Sequence, residues 1–237
     1  MTQGAEADTL PPLTIIRPPT GWQVINFAEL WQFRDLLYFL AWRDVKVRYK
    51  QTLLGVAWAV LQPAMMMLIF YIIFTVVTNT YRGDRPYSLF VFSALLPWTF
   101  FATAIANAGN SVIGSERLIT KIFFPRLAVP FPTVGGSGGG FCGAVPLLLI
   151  LFFANGMTPG WNVLLLPFIF FFIVLSAAGV GTLLAALNVA YRDFRYIIPF
   201  LVQLWMYATP TIYIELGPTN PDSKYAWVKD LLPLNPL

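Results

Sequence analysis

Residues Ala41 to Pro63 read AWRDVKVRYKQTLLGVAWAVLQP and join two different kinds of sequence. The first ten of these residues carry five charged side chains, whereas the chain after Lys50 carries none as far as Arg82. Such a change marks the passage from a basic surface segment into the first long apolar run of a membrane protein. We therefore place the start of the first membrane span at this boundary and interpret the rest of the chain outward from it.

The composition is that of an integral membrane protein. Of 237 residues, 57% are hydrophobic and only 11% are charged, which leaves too few polar side chains to cover a soluble globule. The charges leave four long gaps, at residues 51–81, 86–115, 127–191 and 196–214. Because a helix needs about 20 apolar residues to cross the hydrocarbon core, the 65-residue third gap has room for two spans and each other gap for one.

The sequence therefore predicts an all-α integral membrane protein with five transmembrane helices. Before them, residues 1–28 hold four prolines and no apolar run of signal-peptide length, so we predict a cytoplasmic tail that is neither a signal peptide nor a span. After them, residues 215–237 form a polar, turn-rich extracytoplasmic segment. The transmembrane domain covers residues 52–214, and its predicted spans are 53–77, 88–113, 128–154, 163–187 and 196–214.

Residues 29–51 have the spacing of an amphipathic helix. Aromatic and apolar side chains recur three, four or seven residues apart, at Trp31, Tyr38, Trp42, Val45 and Tyr49. Cations collect on another side, at Arg43, Lys46 and Lys50. Aromatics beside cations suit a helix that lies in the membrane interface near anionic lipid head groups. An ordinary solvated juxtamembrane helix is the alternative.

Lysines and arginines set the orientation. With a cytoplasmic amino terminus, 11 of the 15 cations lie on the cytoplasmic side and 4 on the other, so the positive-inside rule favours that orientation. It places two charged segments between spans, 116–126 and 191–195, on the cytoplasmic side. The same loop bias accounts for the net charge of +4, and we predict no nucleic-acid partner.

Residues 116–127, ERLITKIFFPRL, predict a short amphipathic helix between two spans. Ser115 suits the position just before a helix, and Pro125 should end the helix at or before Phe124. A solvated connector fits the same spacing. The second charged segment, at 191–195, is predicted to belong to a compact turn that starts at Asn188.

Glycine is dense in the first half of the third predicted span, where residues 129–146 read VPFPTVGGSGGGFCGAVP. Each glycine lowers helix propensity by about 1 kcal/mol relative to alanine on a scale measured in water. No strand precedes these glycines and no Gly-Lys-Ser/Thr follows them, so they do not form a phosphate-binding loop. We predict a close-packed or irregular helix, with a polar cavity beside it as a further option.

A proline and an amide side chain interrupt the first span. Pro63 removes one backbone hydrogen bond and should kink the helix near residues 59–62. Gln62 is a polar group at membrane depth. Its amide has three open roles: a hydrogen bond to another helix, a position on a polar lumen, or a partner for backbone freed by the proline.

The titratable residues argue against catalysis by this chain. It has no histidine, a single cysteine at Cys142, and eleven carboxylates that all lie outside the predicted spans. We therefore predict no metal site, no catalytic residue and no bound cofactor. The absence of ionisable groups within the predicted spans also argues against a proton or sodium relay. Any transport would draw its energy from another protein.

Four segments resemble the membrane subunit of ABC-2-type ABC transporters that export bacterial polysaccharides, the group of O-antigen, capsule and teichoic acid. Together they cover most of residues 22–237 in the family's order. They are LLYFLAWRDVKVRYKQTLLGVAWAVLQPAMMMLIFYIIF from residue 36, SALLPWTFFATAIANAGNSVIGSERLITKIFFPRLAVP from residue 93, LNVAYRDFRYIIPFLVQLWMYATPTIY from residue 187, and LLPLNPL from residue 231.

The resemblance implies an assembly in the bacterial cytoplasmic (inner) membrane. Two copies of this permease and two ABC ATP-binding subunits would form the working unit, together with membrane lipids and a lipid-linked polysaccharide as substrate. ATP and magnesium would be held by the partner ATPase and not by this chain. Motion of the ATPases would open a path at the interface between the two permeases.

The resemblance also implies roles for individual residues. The interface helix would rest at the membrane edge near the ATPase, with Trp42, Arg43, Asp44, Lys46, Arg48, Tyr49 and Lys50. A coupling helix at 116–126 and a second contact at 191–195 would dock on the ATPase, through Glu116, Arg117, Lys121, Arg126, Tyr191, Arg192, Asp193 and Arg195. Aromatic rings would line the sugar path, with Phe70, Tyr71, Phe74, Trp98, Phe100 and Phe101 as candidates, and ordinary packing as the alternative for each.

Two features depart from the family pattern. Family members usually have six spans and continue past the LNP motif, whereas this sequence stops at Leu237, so we expect the sixth span to be missing and the extracellular re-entrant helices to be only partly present. The family also usually has ordinary apolar residues where this chain has GGSGGG. Both departures put independent transport competence in question.

Three other functions stay open at this point. A membrane enzyme acting on lipid-linked glycans would need acidic groups near a cleft, for which the chain offers chiefly Asp84, Glu215 and Asp222. A membrane scaffold that does not transport is a second alternative. Within the transporter class, an ABC-2 exporter of lipids or drugs is the nearest rival, since aromatic and small residues do not identify a cargo.

Overall fold

The computed structural model describes residues 31–50, 57–77, 86–121, 126–157 and 160–209. Within these ranges every regular element is helical, which confirms the predicted all-α class. The α-helices are α1 (Arg34–Lys50), α2 (Ala57–Tyr71), α3 (Tyr87–Gly114), α4 (Glu116–Ile119), α5 (Pro130–Ala154), α6 (Leu166–Ala190) and α7 (Phe194–Ala208). A π-helix, Ile72–Val77, continues α2, and 3-10 helices at Arg126–Ala128 and Trp161–Leu165 precede α5 and α6. The predicted segments 1–28 and 215–237 lie outside the described residues.

Three helical segments are long and apolar enough to cross a membrane. They are Tyr87–Gly114, Pro130–Ala154 and Val163–Ala190, and they match the second, third and fourth predicted spans. The first predicted span corresponds to a shorter apolar helix, Val60–Val76. The fifth corresponds to the 15 residues of α7. The count of five membrane crossings therefore stays a prediction at the first and last spans.

Helix α3 lies at the centre of the bundle and contacts α2, α5, α6 and α7. Its largest fully buried side chains are Phe92, Leu95, Phe101 and Ile105. Because neighbouring helices surround it, α3 needs apolar or small residues on more than one face, and its sequence supplies them along its whole length.

Small residues set the distance between α3 and α6. A Cβ atom added at Gly181 would lie 2.7 Å from the Cβ of Ala108, and one added at Gly109 would lie 3.3 Å from the Cβ of Leu184. Close approach of this kind gives membrane helices their van der Waals contact, since lipid tails remove the usual hydrophobic drive for association. The alanines and glycines late in the second span therefore serve packing, as their sequence predicts.

Aromatic rings fill the space between the helices elsewhere along α3. The rings of Phe141 and Phe170 stack with centroids 4.1 Å apart, and Phe100 lies 4.9 Å from Phe170. Nearby, Phe101 meets Trp205 of α7 edge to face at 5.2 Å. These contacts join α3, α5, α6 and α7 into one core cluster.

Helix α1 packs along the glycine-rich first half of α5. A Cβ atom at Gly136 would lie 3.2 Å from the carbonyl oxygen of Ala41 and 3.4 Å from the Cβ of Asp44. Leu40 of α1 is also buried. Residues 130–154 form a continuous α-helix, so the close-packed interpretation of the glycines applies and the irregular one does not.

Candidate functional site

The end of the bundle opposite the start of α3 gathers the charged segments that lie between spans. Helix α4 follows the last turn of α3, and the turn between α6 and α7 lies beside it. A cavity of about 920 Å³ separates the two segments. The structure thus brings together residues that are about 75 positions apart in the chain, as expected for two loops on one side of a membrane.

The cavity is lined by both apolar and polar side chains. Its apolar walls come from the ends of α3 and α6 and from the segments next to them, namely Val112, Ile113, Ile119, Leu127, Pro130, Ala185, Ala186 and Val189. Its polar lining consists of Glu116, Thr120, Thr182, Asn188, Arg192, Arg195 and Tyr196. Such a lining fits an amphiphilic molecule better than a wholly apolar one.

Helix α4 is shorter than predicted. It spans Glu116–Ile119, and Thr120 and Lys121 form a turn instead of continuing the helix. The hydroxyl of Thr120 donates to the carbonyl oxygens of Glu116 at 3.0 Å and Arg117 at 3.3 Å, and the Glu116 carbonyl also accepts from the backbone N–H of Thr120 at 3.0 Å. Ser115 makes no side-chain capping bond, and residues 122–125, including Pro125, lie outside the described part.

Helix α6 is longer than predicted. It continues to Ala190, so Asn188 lies within the helix and not in the turn, contrary to the sequence prediction. The turn itself is Tyr191–Asp193, and α7 begins at Phe194. The backbone N–H of Tyr196 donates to the carbonyl of Asp193 at 3.0 Å and that of Phe194 to Tyr191 at 3.2 Å, which starts α7 directly from the turn.

The predicted coupling residues fall into two groups. Glu116, Arg192 and Arg195 line the cavity. Four others are exposed and do not line it, namely Arg117, Lys121, Tyr191 and Asp193. The side chain of Arg126 lies outside the described part. All seven side chains are exposed, so both segments are open to a second protein, and Glu116, Arg192 and Arg195 also border the cavity between them.

Asn188 is a buried polar residue that the sequence did not single out. Only 1% of it is exposed, although it forms part of the cavity wall. Its Nδ2 donates to the carbonyl oxygen of Gly109 at 2.9 Å and to Oδ1 of Asn110 at 3.1 Å, while its Oδ1 has no donor among the described residues. Asn110 in turn donates to the carbonyl of Ala106 at 2.8 Å. Asn188 therefore ties α6 to α3 just before α4 begins.

The interface helix shows a packed side and an exposed side. Trp42, Arg43 and Lys46 are exposed, as are Trp31 and Tyr38, so the predicted aromatic side faces away from the bundle. This placement agrees with a helix in the membrane interface and equally with a solvated one. Residues 48–50 are helical, and the side chains of Arg48, Tyr49 and Lys50 lie outside the described part.

Asp44 is the polar contact between the interface helix and α5. The hydroxyl of Thr133 donates to Oδ2 of Asp44 at 3.2 Å, and the guanidinium of Arg43 donates to Oδ1 at 2.9 Å. Further along α5, Ser137 accepts a hydrogen bond of 3.3 Å from Asn107 of α3. Two polar contacts on one side of α5 therefore join α1 and α3 to the same helix.

The candidate lining aromatics divide by burial. Trp98, Phe100 and Phe101 are buried inside the subunit, where the packing alternative accounts for them. Phe70 and Phe74 are half-buried, and Phe74 lies 5.9 Å from the ring of Tyr87. Tyr71 is exposed. A role in lining a sugar path stays a prediction for the group.

Comparison with known proteins identifies the family. The model of the ABC-2 type transporter family matches residues 35–235, which is most of the chain. The chain belongs to the ABC-2 type transporter family. This confirms the resemblance drawn from the four sequence segments, and with its long apolar helices the chain is a multi-pass protein of the inner membrane.

Curated relatives in this family carry export names. The chain is 35% identical over 185 residues to the O-antigen export system permease protein RfbA of Myxococcus xanthus, covering 78% of this chain and 70% of the relative. It is 32% identical over 205 residues to the protein of the same name from Klebsiella pneumoniae, covering 84% and 76%. The polysialic acid transport protein KpsM of Escherichia coli is 20% identical over 166 residues, covering 68% and 63%.

Proposed function

We infer that this chain is the membrane permease subunit of an ATP-driven exporter that moves a polysaccharide across the cytoplasmic membrane. The match over residues 35–235, with relatives named for O-antigen export, carries this conclusion. The substrate is a lipid-linked chain of the O-antigen, capsular or teichoic-acid kind. Hydrolysis of ATP, with its magnesium, takes place in a separate ATP-binding subunit, and this chain binds no cofactor and performs no catalysis.

The charged end of the bundle is the surface that meets the ATPase. Arg117 and Lys121 at α4, and Tyr191 and Asp193 at the second turn, are exposed on either side of the cavity. The second turn follows α6 and α4 follows α3, and the hydrogen bond from Asn188 to Gly109 joins α6 to α3. A displacement applied at either turn is therefore transmitted to both helices together.

The orientation follows from the same surface. An ATP-binding subunit works in the cytoplasm, so the charged end and α1 face the cytoplasm and the amino terminus lies on that side. The distribution of 11 cations against 4 supports this assignment.

A second copy of the chain completes the transport path. Gln62 of α2 is exposed on the outside of the subunit, in a span whose neighbouring side chains are apolar. An amide at that depth is stabilised by a hydrogen-bond partner on another helix or by a polar lumen, and an interface between two permeases supplies either one. Two permeases with two ATPases form the exporter.

The ATPase contact is tested by co-purification. The full chain is expressed with a candidate ATP-binding subunit from the same bacterium, and Glu116, Arg117 and Lys121 are each replaced by Gln in one variant. We expect reduced association and loss of the coupling between ATP hydrolysis and polysaccharide export. As a control, Arg82 and Arg85 are replaced by Gln, since the charge distribution assigns both to the opposite side of the membrane. Equal association in both variants would contradict the proposed contact.

A further inference from the structure

The cavity between α4 and the α6–α7 turn has the chemistry of a lipid site. Its volume of about 920 Å³ lies in the range of pockets that hold small ligands. The polar part of its lining includes two guanidiniums, Arg192 and Arg195, and within the described ranges neither has an ion-pair partner. One carboxylate, Glu116, belongs to the same lining, so the charged side chains of the lining leave a net positive charge.

The walls of the cavity suit acyl chains. Val112 and Ile113 come from the end of α3, and Ala186 and Val189 from the end of α6. Ile113, Ala186 and Val189 are exposed, so this wall continues onto the outer surface of the two helices, where a bilayer lies against a membrane protein. An amphiphile bound here would keep its tails against these residues and its head group at the arginines.

Buried Asn188 supplies a second, independent indication of a polar ligand. It forms part of the wall, is 1% exposed, and its Oδ1 has no donor among the described residues. A buried acceptor without a donor is costly. Head-group hydroxyls, or a water held by them, are the kind of donor that such an oxygen accepts from.

We propose that this cavity binds an anionic phospholipid of the cytoplasmic leaflet, with its phosphate at Arg192 and Arg195 and its acyl chains along α3 and α6. Basic pockets between membrane helices on this side recognise anionic head groups, and two guanidiniums bind phosphate oxygens through charge-assisted hydrogen bonds. Because the lipid would touch both turns, its occupancy would stiffen the end of the bundle. The proposal concerns the permease alone and does not depend on the identity of the exported substrate.

The test measures lipid retention by the full-length chain. The purified protein is placed in nanodiscs of phosphatidylcholine with or without phosphatidylglycerol, and retained lipid is measured by native mass spectrometry alongside the Tm. We expect phosphatidylglycerol to be retained and to raise the Tm of the wild-type chain. The double variant R192Q/R195Q should retain it about tenfold less, since each guanidinium contributes a charged hydrogen bond.

A matched control separates a site from general surface charge. The double variant R117Q/K121Q loses two positive charges from equally exposed side chains at the same end of the bundle, but these two do not line the cavity. It should retain phosphatidylglycerol as the wild type does. Equal losses in the two double variants would overturn the proposal, and so would equal retention of phosphatidylcholine by the wild type.

Two further arms identify the source of the phosphate group. Inorganic phosphate at the same concentration should neither raise the Tm nor displace the lipid, because it lacks the chains that occupy the apolar walls. A long-chain polyprenyl phosphate is the other candidate amphiphile. If it displaces phosphatidylglycerol from the wild type and its own retention depends on Arg192 and Arg195, the cavity is a site for the carrier lipid and the phospholipid proposal is wrong.

Discussion

The side-chain amide of Asn188 donates a hydrogen bond of 2.9 Å to the backbone carbonyl of Gly109. The donor lies near the end of α6 and the acceptor near the end of α3, in a region where neither helix carries a charge. Hydrogen bonds between membrane helices are specific because apolar surroundings offer few other partners. This bond therefore fixes how the two helices sit against each other beside the proposed ATPase contact.

Replacing Asn188 with alanine should lower the stability of the folded chain. The buried carbonyl of Gly109 and the half-buried Oδ1 of Asn110 would each lose a donor, and we expect a loss of about 1–2 kcal/mol. Thermal unfolding in detergent measures it. Asn155→Ala is the matched control, because the exposed Asn155 amide donates to the carbonyl of Leu151 in the adjacent helix α5 and, among the described residues, makes no side-chain bond to another helix. An equal loss of Tm in both variants would show that the hydrogen bond between α3 and α6 does not contribute to stability.

Alanine at Gly181 should separate α3 from α6. The added Cβ would lie 2.7 Å from the Cβ of Ala108, so one helix has to move, and overpacking of this kind costs about 1–3 kcal/mol. Gly179→Ala is the control two residues earlier, where a Cβ meets nothing within 4 Å. Its Tm should be unchanged or slightly higher, since alanine favours the helix. A tolerated Gly181→Ala with a harmful Gly179→Ala would contradict the contact.

Alanine at Gly136 should disturb the contact between α1 and α5. Its Cβ would lie 3.2 Å from the carbonyl oxygen of Ala41, which is backbone and cannot rotate away. At the neighbouring Gly135 an added Cβ meets nothing within 4 Å, so Gly135→Ala serves as the control. A cysteine pair introduced at Asp44 and Thr133, whose side-chain oxygens lie 3.2 Å apart, in a background lacking Cys142, reports the contact through the yield of disulfide. We expect that yield to fall with Gly136→Ala only.

Replacing Phe141 with leucine should weaken the aromatic cluster. The stacked contact with Phe170 at 4.1 Å and the edge contact with Phe100 at 6.2 Å would both be lost, which corresponds to about 1–3 kcal/mol. Phe153→Leu on the exposed side of the same helix is the comparison. The difference in Tm between the two variants measures the ring contacts, and a difference of zero would assign the cluster no role in stability.

Much of the fold follows from the sequence because charges and apolar runs separate so cleanly. The prediction of 88–113 for the second span differs by one residue at each end from α3, Tyr87–Gly114. The family resemblance likewise rests on contiguous segments that a sequence displays directly. Both are local properties of the chain.

Features that depend on contacts between distant segments escaped the prediction. Asn188 stands next to a charged turn in the sequence, and only its bond to Gly109, 79 residues away, distinguishes a helix contact from a turn residue. Which side of α1 packs against the bundle could not be predicted for a related reason. Leu37 and Leu40 share the helix with a strong aromatic pattern, so spacing alone does not say which apolar side meets α5.

The aromatic candidates show a similar limit. Phe100 and Phe70 are alike in sequence terms, since each lies in an apolar run with other aromatics nearby. Burial differs because Phe100 meets rings from α5 and α6, while Phe70 lies on α2 at the side of the bundle. No periodicity within a single helix carries that information, since each helix of the bundle is apolar on several sides.

The contact of Gly136 with Ala41 also sets the position of α1 along the axis of α5. Thr133 and Asp44 are 89 residues apart in the chain, yet together with Gly136 they hold α1 at one level along α5. The depth of Trp31, Tyr38 and Trp42 relative to the lipid head groups is thus set by the contact of α1 with a different helix. A larger side chain at position 136 would alter that depth.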